Sequence, residues 1–394
     1  MAGIVILGAG ECGVRAAFTL RELGYTRPVT LIDAEPALPY ERPPLSKNLA
    51  CEAREIRHAD AYLSAEIELR QGTQVTCIDL GGKTLRLVDG GVIDFDQLLV
   101  ATGARPRLFP GMENCATLRT DRDARRILSR FTPGARVGII GGGFIGLELA
   151  ATARRAGAEV TVVEAAPRIL GRGVPPQIAA LVQARHTDEG VKILTDTGVV
   201  RADETTIALA DGTELGFDIV VAGVGAVPNV ELAQEAGLTC DNGIAVDAAF
   251  RTSDPAVFAA GDCCSFEWRG NRVRLESWKA AQDQGSHAAA AMLGSGEVFS
   301  KVPWFWSDQF DMTLQVAGLF DLAGAMHTRD TGDDTCIVFQ CDPAGAISAA
   351  AGIGPGNAAA REIKILEKLI ERQTQADPSI LADPSVNLKR LLKA

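Results

Sequence analysis

The chain carries one glycine fingerprint twice. Gly8, Gly10 and Gly13 form the first copy and Gly141, Gly143 and Gly146 the second, 133 residues later, and each lies between an apolar run and an alanine-rich stretch. The G-x-G-x-x-G frame demands a strand, a tight turn and a helix in that order. The first glycine permits the turn, the second lets backbone approach a pyrophosphate, and the third lets helix and strand pack closely, with the phosphates at the helix N-terminus. In the first copy Ile4 to Leu7 is the predicted strand. A second strand, Val29 to Ile32, ends at Asp33, 20 residues after Gly13, with Glu35 just beyond, and either carboxylate can accept ribose hydroxyls. In the second copy Arg136 to Ile140 is the strand, Ile145 to Ala156 the helix and Val160 to Val163 the next strand, which ends at Glu164. A carboxylate there bonds a ribose 2′-hydroxyl and repels a 2′-phosphate, so this site is expected to prefer NADH over NADPH. A lone fingerprint is often only a glycine turn, but strand, helix and acid recur here in both copies. Two dinucleotide sites in one chain imply electron transfer between two bound cofactors.

Composition agrees with a soluble enzyme of two or three domains. The 394 residues are long enough for sizeable cores, and a net charge of −11 without a basic tail argues against a nucleic-acid partner. No charged leader precedes the first strand and no apolar stretch approaches the roughly 18 residues of a membrane span, so a cytoplasmic protein away from membranes is expected. Nine cysteines are scattered without C-x-x-C spacing, which fits small core residues in a reducing compartment; the adjacent pair Cys263 and Cys264 reads as packing, and the odd separation of Cys336 and Cys341 points them to opposite faces of a strand. Four histidines form no ligand cluster, and neither H-E-x-x-H nor G-x-S-x-G occurs, so no metal site is expected.

After the first fingerprint come short strands, Gln74 to Leu80 and Lys83 to Val88, and then FDQLLVATGARPR, a buried strand closing on Ala101, Thr102 and Gly103. The run FDIVVAGVGAVPN repeats that closure in the second half, and TSDPAVFAAGDCC ends in Gly261 and Asp262 before a helix from Trp278 to Leu293. From about residue 303 aromatic clustering, strands Thr313 to Leu319 and Cys336 to Gln340, and a late helix Ala358 to Arg372 suggest an α+β domain. The expected fold is α/β, with two Rossmann-like dinucleotide-binding domains and a C-terminal α+β domain. Residues 1–109 and 237–302 make the first, 110–236 the second and 303–394 the third.

The strings GAGECG, LPYERPPLSK, QVTCIDL, LLVATGARPR, LRT, GGGFIGLELAATA, VVEAAPRILGR, AAGDC, ESWKAAQDQG and PWFWSDQ lie between residues 8 and 309 and carry a resemblance that covers essentially the whole chain. In these the chain resembles the NADH-dependent ferredoxin reductases of bacterial Rieske-oxygenase and haem-thiolate monooxygenase systems, which belong to the glutathione-reductase-like flavoproteins. PPLSK and FWSDQ are the most specific of them. The resemblance implies FAD in the first domain and NADH in the second, with electrons leaving to a [2Fe-2S] ferredoxin as a transient partner of a monomer or homodimer. Flavin is the converter such a route needs, because nicotinamide gives up two electrons as hydride and an iron-sulfur carrier takes one. Disulfide reductases of this group carry a cysteine pair early in the chain, whereas PALPYERPPLSKNLACE offers only Cys51. The exit is therefore expected directly from the flavin.

By the same resemblance Lys47 lies beside the flavin N5, paired with Glu148 to orient the ring and the nicotinamide, and Trp278 contacts the isoalloxazine; these three are the expected catalytic residues. Gly8, Gly10, Cys12, Gly13, Asp33 or Glu35, Arg42, Val75, Ala101, Thr102, Gly103, Arg105, Arg119 and Asp262 are expected around FAD. Gly141, Gly143, Phe144, Ile145, Gly146, Glu148, Glu164, Arg172 and Gly225 are expected around NADH. Cys12 stands where alanine or serine is usual. Trp304 and Trp306 read either as an aromatic edge near the flavin or as core. Lys364, Lys368 and Arg372 make one basic stripe on the late helix, either a docking surface for an acidic ferredoxin or a solvated face. Rubredoxin reductase, an NADH oxidase or other small-molecule reductase, and an apoptosis-inducing-factor-like redox-gated protein are the competing readings.

Overall fold

The computed structural model describes residues 2–50, 53–332 and 334–393. Cys51, the early cysteine singled out above, lies outside the described residues. Two compact units result, one of Met1–Arg42, Ala53–Arg105 and Ala226–Lys301, the other of Pro43–Glu52, Pro106–Gly225 and Val302–Ala394.

In the first unit four parallel strands run in the order Ile67–Arg70, Val29–Ile32, Gly3–Leu7 and Val92–Val100, and Val257–Ala259 adds parallel to the last. Thr84–Leu87 and Val75–Asp79 continue the sheet antiparallel. Gly3–Leu7 and Val29–Ile32 are buried throughout, as parallel strands covered on both faces must be, and their sequences GIVIL and VTLI are apolar at every position but Thr30, whose hydroxyl donates to Glu68 at 3.0 Å. The helices Glu11–Glu22 and Trp278–Met292 pack on each other through small residues: a Cβ on Gly285 would stand 2.4 Å from the carbonyl oxygen of Cys12.

The second unit repeats the parallel motif, in the order Lys192–Leu194, Glu159–Val163, Arg136–Ile140 and Ile219–Ala222. Its C-terminal part is a five-stranded antiparallel sheet, Trp304–Gln309, Met312–Gly318, Ile347–Pro355, Thr335–Cys341 and His327–Gly332 in spatial order. One face, with Ala317, Ile337, Phe339 and Ala350, is covered by Ile363, Leu366 and Leu369 of the helix Ala360–Glu371. The other, with Leu314, Val316, Val338, Ala351 and Ile353, packs on Leu147 of the fingerprint helix Phe144–Arg155 and on Ile178 and Val182 of the helix Pro176–Asp188. This second apolar face joins the sheet to the fingerprint helix within one compact unit. Cys336 and Cys341 do fall on opposite faces of their strand. Among the described residues no helix is long and apolar enough to cross a membrane.

Candidate functional site

Steric necessity places the glycines of the first fingerprint. Gly8 has φ +108°, and a Cβ there would lie 2.3 Å from the Ala101 carbonyl oxygen; one on Gly13 would lie 1.9 Å from that of Gly8. Gly10 differs, because a Cβ there would meet nothing within 4 Å. The helix starts at Gly10 without a side-chain cap, so its first amides face that open space as an anion-binding end. Thr102 donates to the Asn229 carbonyl at 2.7 Å and receives the Asn229 amide on its own carbonyl at 2.8 Å, which fixes the strand end carrying Ala101 and Gly103. Gly261, at φ +83°, brings Asp262 close to the fingerprint, and a Cβ on it would stand 3.1 Å from that of Cys12. Cys12 itself is buried, so a small side chain is what fits at this point.

The two ribose candidates differ in their surroundings. Glu35 is held by Arg42 at 2.8 Å and by the Tyr40 hydroxyl at 2.6 Å. Asp33, at the end of the strand, has its carboxyl raised above the usual range by burial. Val75 is buried in the core of the first unit, and Arg105 pairs with Glu231 at 2.6 Å. Trp278 opens its helix behind the Ser277 cap. Glu11, on the first fingerprint helix of the same unit, has its carboxyl raised by burial and accepts from Gln282 at 2.7 Å.

In the second unit Gly141 has φ +101° and a Cβ site 2.4 Å from the Gly223 carbonyl oxygen, and a Cβ on Gly146 would sit 2.3 Å from that of Gly141. Around Gly143 the nearest atom to a Cβ would be 4.0 Å away, and this helix too begins without a side-chain cap. Glu164 accepts from the Gly142 amide at 2.7 Å and from the Ala166 amide at 2.8 Å, so its carboxylate is fixed against the turn. Gly225, at φ +116°, lies beside Arg172. Ile145 is exposed at the helix start, whereas the Phe144 ring packs edge-on against Phe305 with centroids 5.0 Å apart. The Phe144 side chain thus contributes to packing. Arg119 belongs to this unit, where its amide donates to Asp123 in the capping region of the helix Asp121–Leu128.

Lys47 and Glu148 also meet in this unit, in a larger set than the sequence reading anticipated. Glu148, on the inward face of the fingerprint helix, is 7% exposed; it accepts from the hydroxyls of Ser46 and of Ser307, the latter at 2.6 Å. Lys47 lies 3.5 Å from Glu148 but 2.7 Å from Asp308. Burial raises the Glu148 carboxyl against the opposing pull of Lys47 and the two serines. Burial also acts to raise that of Asp308, but hydrogen bonds and charge from Lys47, with Thr313 and Trp306, bring it below the usual value. Trp304–Gln309 is the edge strand of the C-terminal sheet and its side chains alternate, so Ser307 meets Glu148 while Trp306 and Asp308 occupy the other face. Lys47 reaches around that edge to both carboxylates. Trp304 packs on the core and stacks on Trp306 at 5.5 Å, which decides which of the two is core. Ser46, Ser307 and Asp308 lie inside the PPLSK and FWSDQ strings, but only folding shows that these strings meet.

The eight described cysteines are free, and burial holds the thiols of Cys263 and Cys264 in their protonated form. Two open dinucleotide cradles and a buried lysine–carboxylate set place the molecule in the class of two-nucleotide oxidoreductases. The chain belongs to the pyridine nucleotide-disulphide oxidoreductase family, which it matches over residues 2–285, and residues 304–392 match the reductase C-terminal family. It is 40% identical to the ferredoxin–NAD(+) reductase component of an anthranilate 1,2-dioxygenase system from Burkholderia cepacia, over 98% of both chains. It is 35% identical to putidaredoxin reductase of Pseudomonas putida, over 99% of this chain and 97% of that one. Among solved structures it resembles the reductase of a covalent putidaredoxin reductase–putidaredoxin complex, with a TM-score of 0.94 and 35% identity over 100% of this chain and 98% of the other.

Proposed function

We propose that this protein is an FAD-containing ferredoxin–NAD(+) reductase of the cytoplasm, taking hydride from NADH and passing electrons one at a time to a [2Fe-2S] ferredoxin that supplies an oxygenase. The observation that carries the reading is the pair of cradles, each with a second glycine open to a phosphate and an uncapped helix N-terminus behind it. Full-length similarity to named ferredoxin–NAD(+) reductases supports it. In this reading residues 1–109 and 237–302 form the FAD domain, 110–236 the NADH domain and 303–394 a third domain.

FAD, when bound, supplies the conversion between two-electron and one-electron transfer. Gly8, Gly10 and Gly13 admit its pyrophosphate, Asp262 and the Ala101 to Gly103 turn take polar groups of the chain between phosphate and ring, and Asp33 takes the ribose. Glu35 is the weaker ribose candidate because Arg42 and Tyr40 already engage it. The helix beginning at Trp278 presents its positive end and favours negative charge on a ring placed before it. In the second cradle Glu164 selects a free 2′-hydroxyl, with Gly141, Gly143, Ile145, Gly146, Arg172 and Gly225 around the rest of the nucleotide. Lys47 and Glu148 orient the reacting rings and take up no proton, a task of preorganisation. Arg119 and Val75 remain as weaker cofactor contacts.

Anaerobic mixing of the purified protein with NADH or NADPH tests the reading, followed by cytochrome c reduction through a panel of [2Fe-2S] ferredoxins and rubredoxin. A yellow protein bleached faster by NADH, active only with a ferredoxin, is expected. A colourless protein that cannot be reconstituted with FAD would sink it, and rapid NADH oxidation without any carrier would favour the oxidase reading. Glu164→Arg should lower the NADH to NADPH ratio of kcat/KM by about ten-fold or more, the effect of exchanging a hydrogen-bonding carboxylate for a cation.

A further inference from the structure

We propose that Asp308 is the positioning residue for both Lys47 and the Trp306 indole, so that one carboxylate ties the lysine to the stacked tryptophan pair. The inference deepens the reductase reading and rests on it for the role of Lys47. Its geometry lies wholly in the second unit. One oxygen of Asp308 receives the Lys47 ammonium at 2.7 Å and the Trp306 Nε1–H at 3.0 Å, and the other receives the Thr313 hydroxyl at 2.9 Å. Three donors fix a carboxylate that would otherwise rotate. Thr313 is the cross-strand neighbour of Asp308 in the hairpin of Trp304–Gln309 and Met312–Gly318, so the anchor belongs to the sheet.

The partner expected from sequence, Glu148, does not hold the ammonium in this way. Its oxygens accept from Ser46 and Ser307, and its 3.5 Å separation from Lys47 is too long for a strong charge-assisted hydrogen bond. Lys47, Glu148 and Asp308 are the charged groups of the cluster, two carboxylates about one ammonium, with Ser46, Ser307, Thr313 and Trp306 as neutral neighbours. The Lys47 nitrogen also lies 5.0 Å from the Trp306 ring centroid, so lysine and indole constrain each other as well as sharing Asp308. Loss of the Asp308 charge removes the counter-charge of the lysine and weakens the indole's anchor, while Glu148 keeps its two serine donors.

The test is acylation of Lys47 in the full-length protein at one fixed pH, followed peptide by peptide, with Lys83 as an internal control. In Asp308→Asn Lys47 is expected to label about ten-fold faster, because the amine has lost the carboxylate that holds it at 2.7 Å. Asp308→Glu is expected to restore the wild-type labelling rate. Reduction of the bound flavin by NADH should slow in Asp308→Asn with little change in KM. An unchanged Lys47 labelling rate in Asp308→Asn, or a larger increase in Glu148→Gln than in Asp308→Asn, would overturn the proposal. Should Asp308→Asn fail to fold, Thr313→Val decides: a smaller increase in the labelling rate supports it and no increase overturns it. Acylation needs no flavin chemistry, so a wild-type protein that NADH cannot reduce would defeat the reductase reading separately.

Discussion

At the residue scale, two carboxylates around Lys47 carry different burdens. Glu148 is deeply buried beside two hydroxyls and an ammonium, and burial raises its carboxyl against their pull. Glu148→Gln retains the shape and can still hydrogen-bond Ser46 and Ser307, so it is expected to fold and to slow flavin reduction by NADH on the order of ten- to a hundred-fold, the effect of misplacing a reacting group by about 1 Å. Glu148→Ala leaves both hydroxyls without an acceptor and is expected to cost about 1–3 kcal/mol of stability in chemical denaturation. A stability equal to that of Glu148→Gln would mean that the hydroxyls find other partners. Lys47→Met should slow the same reduction step, and an unchanged stopped-flow rate would remove Lys47 from the mechanism. Glu148 and Lys47 could be named from the sequence because each sits in a string that resembles a family. Asp308 sits in such a string too, yet nothing in the sequence says which residue of FWSDQ meets a lysine 261 positions earlier. Long-range side-chain contacts leave no local pattern.

At the element scale, the fingerprint glycines divide into two kinds that the sequence writes identically. A Cβ on Gly13 would overlap the Gly8 carbonyl at 1.9 Å, and the obstacle is backbone that cannot move without opening the turn. A Cβ on Gly10 meets nothing, and its φ of −70° suits any residue. Gly13→Ala is therefore expected to lose several kcal/mol or fail to fold, the upper end for overpacking a tight site. Gly10→Ala should fold with an unchanged Tm as apoprotein and lose FAD, measured by fluorescence titration. If Gly10→Ala binds FAD normally, the first cradle is not where the phosphates sit. Local grammar of this kind is why the strands Val29–Ile32 and Arg136–Ile140 match the expected bounds to the residue. The strand Ile347–Pro355 went unforeseen for the opposite reason. Its sequence ISAAAGIGP lacks β-branched residues over most of its length because the layer above is close: a Cβ on Gly352 would lie 2.9 Å from that of Ala359. His186 carries a further expectation at this scale. It is fully buried, with ring nitrogens 3.0 Å from the Val182 carbonyl and 3.2 Å from the Leu147 carbonyl, so it links the helix Pro176–Asp188 to the fingerprint helix. Burial lowers its pKa from the ordinary 6.5, so below that pH the unfolded chain gains a proton that the folded one refuses. Stability is expected to fall as pH drops from about 6.5 toward the folded value, and His186→Gln, which does not titrate, should flatten that part of the Tm profile.

At the scale of the whole molecule, charge and chain path matter more than any one contact. Pro43–Glu52 interrupts the first unit in sequence yet clusters with the second, and Val302–Ala394 joins the second as well. Neither assignment could be read from composition, because both depend on which apolar face meets which helix after folding. The chain carries a net charge of −11, so an acidic carrier needs a local basic surface to approach it. The stripe Lys364, Lys368 and Arg372 is exposed as expected, but its charges are already engaged or offset. Lys364 pairs with Glu367 at 2.7 Å, Arg372 donates to the Leu392 carbonyl at 2.6 Å, and the helix Ala360–Glu371 balances Arg361, Lys364 and Lys368 with Glu362, Glu367 and Glu371. A helix whose charges cancel within a few ångströms produces little field beyond a Debye length of about 8–10 Å. Reversing all three charges is therefore expected to leave ferredoxin-dependent cytochrome c reduction within about two-fold of wild type at low salt, where steering is strongest. A loss of ten-fold or more that vanishes at high salt would instead make this helix the landing surface, and would mean that the three cations act on the partner before Glu367 and its neighbours can screen them.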